Sequence, residues 1–78
     1  MPDKKIQVYA YSGYRAEEIP RAFIINNQKI DITDILNMWK EEQEGTIARR
    51  RVYKAKGNDG FVYTLYYDEK ETEWFLRS

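Results

Sequence analysis

Three runs of strand-forming residues, separated by two polar turns, constrain the fold of this chain more than any other feature. Together the runs are rich in Val, Tyr and Phe, and they cover residues 49–56, 61–67 and 74–76. The first turn contains Asn58-Asp59-Gly60, which supplies the positive φ that a tight hairpin needs. The pattern predicts a three-stranded antiparallel meander, against which the earlier part of the chain packs.

The first half of the chain continues the β pattern. Period-two alternation and short apolar runs predict three more strands, over residues 6–11, 21–25 and 29–32. The connection between the first two is charged, and Pro20 prevents a helix from passing through it. Asn26 and Asn27 predict a hairpin turn, because Asn tolerates the left-handed region of φ/ψ space.

The next segment is open to two interpretations. Apolar residues recur at helical spacing, at Ile32, Ile35, Leu36 and Trp39. This spacing would make the fold α+β, with one short helix around residues 33–42 capped by Thr33. In the other interpretation a strand face holds Ile30, Ile32, Asp34, Leu36 and Met38, or a bulge brings Ile35 and Trp39 into register. The neighbouring segments are all β and no helix-stop signal precedes Glu41, so the sequence favours a long, bent strand.

These segments predict a single all-β domain over residues 1–78, with about six strands in a strongly bent antiparallel sheet or a small SH3-like barrel. The chain is 42% hydrophobic and 15% aromatic, which is enough apolar bulk for a packed core. Trp74 shares the core-facing parity with Tyr53, Ala55, Tyr63, Leu65 and Leu76. Arg49 and Arg51 are then expected at the rim of the core, near the acidic residues Glu41, Glu42 and Glu44.

A series of short motifs runs through almost the whole chain. In order they are Tyr11-Ser12-Gly13-Tyr14, Glu18-x-Pro20-Arg21-x-Phe23, Ile35-Leu36-x-x-Trp39, Asp59-Gly60-x-Val62-Tyr63-x-Leu65, Asp68 and Trp74-x-Leu76. This order resembles a family of small uncharacterised bacterial β domains, found alone and as C-terminal modules on proteins related to Y-family DNA polymerases. The resemblance implies a compact β module in a DNA-repair setting and supplies no catalytic residue. Phe61 departs from the family pattern, which has a polar or basic residue there.

The composition argues against an enzyme. The chain has no His and no Cys, which removes Ser-His-Asp catalysis, His-ligated zinc and thiol chemistry. The acidic turn over residues 68–73 lacks the ligand spacing and the glycine of a calcium loop. Gly57 and Gly60 lie between two strands rather than before a helix, so they do not form a phosphate-binding loop. The sequence predicts a non-enzymatic domain with no metal and no cofactor.

The outward face of the meander is the first candidate binding site. Basic and aromatic residues interleave there, at Arg50, Lys54, Lys56 and Tyr66. Such a face can bind a phosphate backbone and stack bases. The alternative is an ordinary solvated face on which Lys and Arg stems lie over Tyr rings. Lys plus Arg equals Asp plus Glu at thirteen each, so net charge adds no attraction for nucleic acid.

A tyrosine-rich segment near the N-terminus is the second candidate site. It contains Tyr9, Tyr11, Tyr14 and Arg15 around a Ser-Gly turn. Tyr is favoured at interfaces because it offers rigid contact area and a polar tip. The alternative is that Tyr11 and Tyr14 seal the open end of a barrel against Pro20.

Two functions follow from these patterns. The first is a protein-interaction module with an unknown protein partner, and the alternative is a nucleic-acid-binding accessory domain, which the resemblance links to DNA repair. The lack of Cys and of any apolar leader or membrane-spanning run predicts a cytoplasmic protein without membrane contact. Nothing in the sequence determines the oligomeric state.

Overall fold

A computed structural model of the chain describes residues 3–12, 18–42 and 49–77. This part of the chain forms six antiparallel strands: β1 Lys4–Ser12, β2 Glu18–Ile25, β3 Gln28–Glu42, β4 Arg49–Gly57, β5 Val62–Asp68 and β6 Glu73–Leu76. The strands follow one another around a closed barrel, and β1 pairs with β6 to complete it. The predicted all-β class and the small barrel are confirmed. No helix in the described ranges is long and apolar enough to cross a membrane.

The predicted meander forms three consecutive strands of the barrel wall, β4, β5 and β6. Tyr53 on β4 lies opposite Leu65 on β5, and Leu65 lies opposite Leu76 on β6. Residues directly opposite each other in an antiparallel pair share a face, so this row points into the barrel. The turn between β4 and β5 places Gly60 at φ 87°, a value that L side chains rarely adopt.

The core lies on the inner face of all six strands. Its buried members are Ile6, Phe23, Ile30, Tyr53, Leu65 and Trp74. Trp74 lies between two tyrosine rings, with ring centroids 5.6 Å from Tyr53 and 5.3 Å from Tyr67. The predicted core parity of Trp74 is therefore confirmed.

The hairpin between β2 and β3 is tight. Ile25 pairs with Gln28, which leaves Asn26 and Asn27 as a two-residue loop. Both asparagines have positive φ, 51° and 62°, as a type I′ turn requires. The turn predicted from the two asparagines is confirmed.

Residues 33–42 belong to β3, so the short-helix interpretation is wrong. The β3–β4 ladder skips Thr33 and Leu36, which identifies a bulge at each. One bulge between Ile35 and Trp39 reverses the alternation, so Ile35 points inward beside Ala55 and Trp39 points outward beside Val52. The expected common register of Ile35 and Trp39 is wrong for that reason. The single strand face from Ile30 to Met38 is also wrong, because Asp34 lies outward opposite Lys56.

Strands β2 and β3 separate soon after their hairpin. They pair over four rows only, from Ile25–Gln28 to Ala22–Asp31. Pro20 lies just beyond the last row, and proline has no N–H to donate to a ladder. Beyond this point, within the described chain, β3 pairs with β4 on one side and with no strand on the other.

The predicted contacts of the two rim arginines are only half confirmed. Arg49 Nε lies 3.3 Å from Glu42 Oε1, as the sequence indicates. Arg51 Nε instead lies 3.6 Å from Glu69 Oε1 in the turn after β5. Glu44 lies outside the described residues.

Candidate binding surface

An outward row of apolar side chains crosses four strands. Trp39, Val52, Tyr66 and Phe75 lie directly opposite one another in successive ladders. Val52 is 0% exposed and Tyr66 is 3% exposed, although both point away from the barrel core. This row of the outer face is therefore a second packed layer, and it does not offer the open aromatic ring that the sequence predicted beside the basic residues.

Tyr66 is the centre of this outer layer. Its ring stacks on Phe75 at 5.3 Å, and the guanidinium groups of Arg50 and Arg77 lie 4.8 Å and 5.2 Å from its centroid. Its hydroxyl donates a hydrogen bond to Asp3 Oδ2 at 2.6 Å. Burial and this bond raise the pKa of Tyr66 to about 12. Tyr66 was predicted to offer a stacking surface for bases, and this burial contradicts that role.

Arg50 also has structural contacts. Its Nε lies 3.6 Å from Asp68 Oδ2, and the other oxygen of Asp68 accepts N–H bonds from Lys70 and Glu71 in the following turn. Asp68 is buried, so the charge of Arg50 compensates a carboxylate that is largely removed from water. Arg50 is therefore less available for a phosphate than the sequence suggested.

A clasp between Glu41 and Arg77 covers the same layer. Arg77 donates two hydrogen bonds to the carboxylate, at 2.6 Å and 3.0 Å, and the indole N–H of Trp39 donates a third at 2.9 Å. The bonds from Arg77, and then that from Trp39, lower the pKa of Glu41 to about 2. The sequence gives no signal for this contact, because its partners lie on β3 and beyond β6.

The other predicted basic residues, Lys54 and Lys56, are exposed on the outer side of β4. Lys56 lies opposite Asp34 on β3, and Lys54 lies opposite Asn37. These two lysines share a face with Arg50, so the structure brings the predicted basic residues together. The ring of Tyr66, in contrast, is covered and offers no stacking surface beside these basic residues.

The tyrosine-rich candidate site is described only in part. Tyr9 is exposed on β1, and Lys29 Nζ lies 5.3 Å from its ring centroid. Tyr14, Arg15 and the side chain of Tyr11 lie outside the described residues. The predicted patch, and the alternative in which it seals the barrel against Pro20, stay predictions.

The second half of β3 carries an exposed apolar segment, which the sequence did not predict as a binding site. Leu36 is 50% exposed and Met38 is 62% exposed, and Trp39 is also partly open to solvent. The segment lies where β3 has lost its pairing with β2. The sequence did contain one signal for this segment, because a long strand with so many apolar residues cannot bury all of them in its paired rows. The extent of pairing, however, cannot be predicted from the sequence.

A groove of about 230 Å³ lies along this segment, lined by Met38, Trp39, Lys40, Arg51, Val52 and Tyr53. Met38 lies opposite Tyr53, and Lys40 lies opposite Arg51. Tyr53 belongs to the core, so these two rows continue the inner face of the barrel into its open end. A smaller cleft of about 200 Å³ lies between β2 and β3 where the two strands separate. Its lining residues come from the start of β2 and the middle of β3: Ile19, Pro20, Arg21, Ile32, Thr33, Asp34 and Ile35.

The groove has an unusual charge arrangement. Arg51 packs over the Tyr67 ring at 5.2 Å, and its buried Nε makes no hydrogen bond. Lys40 is exposed and has no ion pair within the described part of the chain. Two cations thus face each other beside an apolar surface.

No group of three carboxylates in the described ranges is placed to hold a metal ion.

Comparison with protein-family models, curated proteins and solved structures found no match for this chain. The resemblance to small bacterial β domains therefore stays a prediction.

Proposed function

We propose that this protein is a protein-interaction module that binds an extended peptide segment along the free edge of β3. The observation that carries the proposal is the mismatch between strand length and pairing. Strand β3 has fifteen residues, but only its first four pair with β2 in the described chain. Extended peptides bind such edges by adding a strand, so that main-chain hydrogen bonds give affinity and side-chain pockets give specificity.

The backbone of Met38 supports this mode of binding. Its N–H donates to the Asn37 side-chain oxygen at 2.9 Å, and this contact is exposed. The N–H therefore points away from the β4 ladder, and alternation directs the polar backbone groups of Lys40 to the same free side. An incoming carbonyl group would replace the Asn37 oxygen.

The bulges divide the free edge into two parts. Natural edges are protected by charges, prolines and bulges, which prevent unwanted strand pairing. The bulges at Thr33 and Leu36 interrupt the first part, whereas residues 37–42 pair with β4 in an unbroken register. The regular part carries Met38, the most exposed of its apolar residues. An exposed apolar patch beside a groove is typical of an interaction site.

A displayed library of random peptides tests the proposal. The ¹⁵N-labelled protein is titrated with the enriched peptides, and we expect shift changes over residues 37–42 and along the facing part of β4. Met38→Ser should abolish binding, because it removes the exposed apolar contact and leaves the fold intact.

Phe61→Ser is the matched control, since Phe61 is 66% exposed and lies on the β4–β5 turn, away from the groove. This variant should bind as the wild type does. The proposal fails if no peptide is enriched, or if Phe61→Ser and Met38→Ser weaken binding equally.

A nucleic-acid-binding accessory domain is the second candidate function, and the exposure of Lys54 and Lys56 favours it. Its link to DNA repair comes from the sequence resemblance alone. Binding through these lysines should be salt-dependent, and replacing both by Ala should flatten the salt slope by about two units. Labelled single- and double-stranded oligonucleotides at low salt test it, and absence of binding at high micromolar protein removes this candidate.

We also infer a non-catalytic role in the cytoplasm. The lack of His and Cys supports the non-catalytic role, and the lack of Cys fits a location in the cytoplasm. A measured hydrolase or transferase activity that survives rigorous purification would contradict the first. Localisation of the tagged protein outside the cytoplasm would contradict the second.

A further inference from the structure

We propose that the peptide bound at the β3 edge carries an acidic side chain opposite Lys40 and an apolar side chain two residues away, opposite Met38. This inference rests on the proposed function and specifies the chemistry of its ligand. Met38 and Lys40 are two residues apart and both line the groove, and they share the face of β3 that lies opposite Tyr53 and Arg51. A strand added at the free edge presents its own side chains to them with the same period.

The charge pattern of the β3–β4 ladder identifies the acidic position. Three of its charged rows pair opposite signs: Asp34–Lys56, Glu41–Arg50 and Glu42–Arg49. The row of Lys40 and Arg51 alone pairs like charges, which is destabilising when the residues lie directly opposite. A carboxylate from a bound strand would supply this row with the opposite charge that the other charged rows already contain.

The geometry of the row strengthens the argument. Met38 N–H points to the free edge, so Met38 and Lys40 lie in non-hydrogen-bonded pairs with β4. Side chains approach more closely in such pairs, which increases the repulsion between Lys40 and Arg51. Glu69 reaches Arg51 at 3.6 Å, but Lys40 has no such counterion in the described ranges.

The apolar position follows from Met38 and Tyr53. Met38 and Tyr53 lie directly opposite each other and both line the groove, and Tyr53 also belongs to the core. A flexible methionine side chain adapts its shape to an incoming apolar group. The expected motif is therefore an apolar residue flanked, two positions away, by Asp or Glu.

Synthetic peptides of symmetrical sequence test the motif in either strand direction. The test peptide is Thr-Glu-Thr-Leu-Thr-Glu-Thr, and Lys replaces both Glu residues in its comparator. Fluorescence anisotropy with the full chain should give about two- to fivefold tighter binding of the acidic peptide, the size expected of an exposed ion pair. The preference should weaken as salt is raised.

Charge reversal on the protein gives the decisive comparison. Lys40→Glu should invert the preference toward the basic peptide, and Lys40→Ser should remove it. Lys54→Glu is the matched control, because Lys54 is an exposed lysine at the same ladder on the outer face. The control should keep the acidic preference. An equal inversion by Lys54→Glu would overturn the inference, because it would indicate general attraction rather than pairing at Lys40.

The remaining outcomes separate the two proposals. If the peptides bind, lose affinity in Met38→Ser and show no charge preference, this inference fails and the interaction module stands. If no peptide of either charge binds and the library gives no enrichment, both fail. A concentration-dependent dimer that Met38→Ser dissociates would overturn the inference by assigning the edge to a second copy. An oligonucleotide that displaces the peptide and depends on Lys40 would overturn it in favour of phosphate.

Discussion

Arg77 donates two hydrogen bonds to the carboxylate of Glu41, and so joins the segment after β6 to β3 across the outer face of the sheet. The pair connects strands that are not neighbours in the ladder. It also covers the ring of Tyr66, which Arg77 approaches at 5.2 Å. This clasp makes the outer layer a structural element of the fold.

The clasp predicts a loss of stability in acid. The pKa of Glu41 is lowered from 4.5 to about 2, so its contribution is complete above about pH 4.5 and is lost as the pH falls toward 2. The pair is partly exposed, and we expect Glu41→Gln to cost about 1 kcal/mol at pH 7 after solvent screening. Urea unfolding at pH 7 and near pH 2 measures the difference, which should shrink in acid. Glu42→Gln is the control, since its pair with Arg49 is more exposed. An equal effect of the two changes would contradict the prediction.

Tyr66→Phe should destabilise the protein by about 1.5 to 3 kcal/mol, because it removes a hydrogen bond from a buried hydroxyl to a charged group. The pKa of Tyr66 is raised to about 12 from 10.0. The folded state therefore favours the protonated hydroxyl, and this stabilisation is lost as the pH rises from 10 toward 12. Thermal unfolding and absorbance titration at alkaline pH measure both effects. A tyrosine spectrum in which every phenol ionises near 10 would show that Tyr66 is solvated.

Trp74→Ala should cost about 3 to 5 kcal/mol, the range found for aromatic-to-alanine changes in packed cores. The indole lies between Tyr53 and Tyr67, so its removal leaves a cavity bounded by both rings. Chemical denaturation measures the loss. Phe61→Ala, at a largely exposed side chain, should change stability by less than about 0.5 kcal/mol. A midpoint for Trp74→Ala close to that of Phe61→Ala would mean that the core is packed differently.

Gly57→Ala should destabilise the β4–β5 turn by about 1 to 3 kcal/mol through overpacking. A Cβ at this position would lie 2.6 Å from Ile30 Cγ2 and 2.8 Å from Asp59 Oδ1. Gly60→Ala tests a different cause, because its site is open but its φ is positive. Differential scanning calorimetry of both variants distinguishes a clash from backbone strain. An unchanged melting temperature for Gly57→Ala would rule out close packing against Ile30.

Local patterns predicted most of the fold. The asparagine turn, the meander and the inward position of Trp74 depend on residues close in sequence, which period-two alternation describes well. Alternation does not report a bulge, and one skipped residue at Leu36 reversed the side on which Trp39 lies. The strand-like character of residues 33–42 was predictable from their β neighbours, but their register was not.

The candidate site was harder to predict, because exposure depends on long-range contacts. Parity placed Tyr66 correctly on the outer face, but it carries no information about Asp3, which is distant in sequence and binds its hydroxyl. Similarly, Arg51 pairs with Glu69 in a later turn rather than with the earlier acidic run. The exposed part of β3 became apparent only when its pairing with β2 was known.

Among the residues that the structure describes, the second half of β3 pairs on one side only, and this has a consequence for hydrogen exchange. Along residues 37–42, amides that point to β4 are held in a ladder, whereas those of Met38 and Lys40 point to the unpaired side. Amide protons should therefore exchange at alternately slow and fast rates within one continuous strand, even without any opening of the barrel. A bound strand would slow the fast set and leave the slow set almost unchanged.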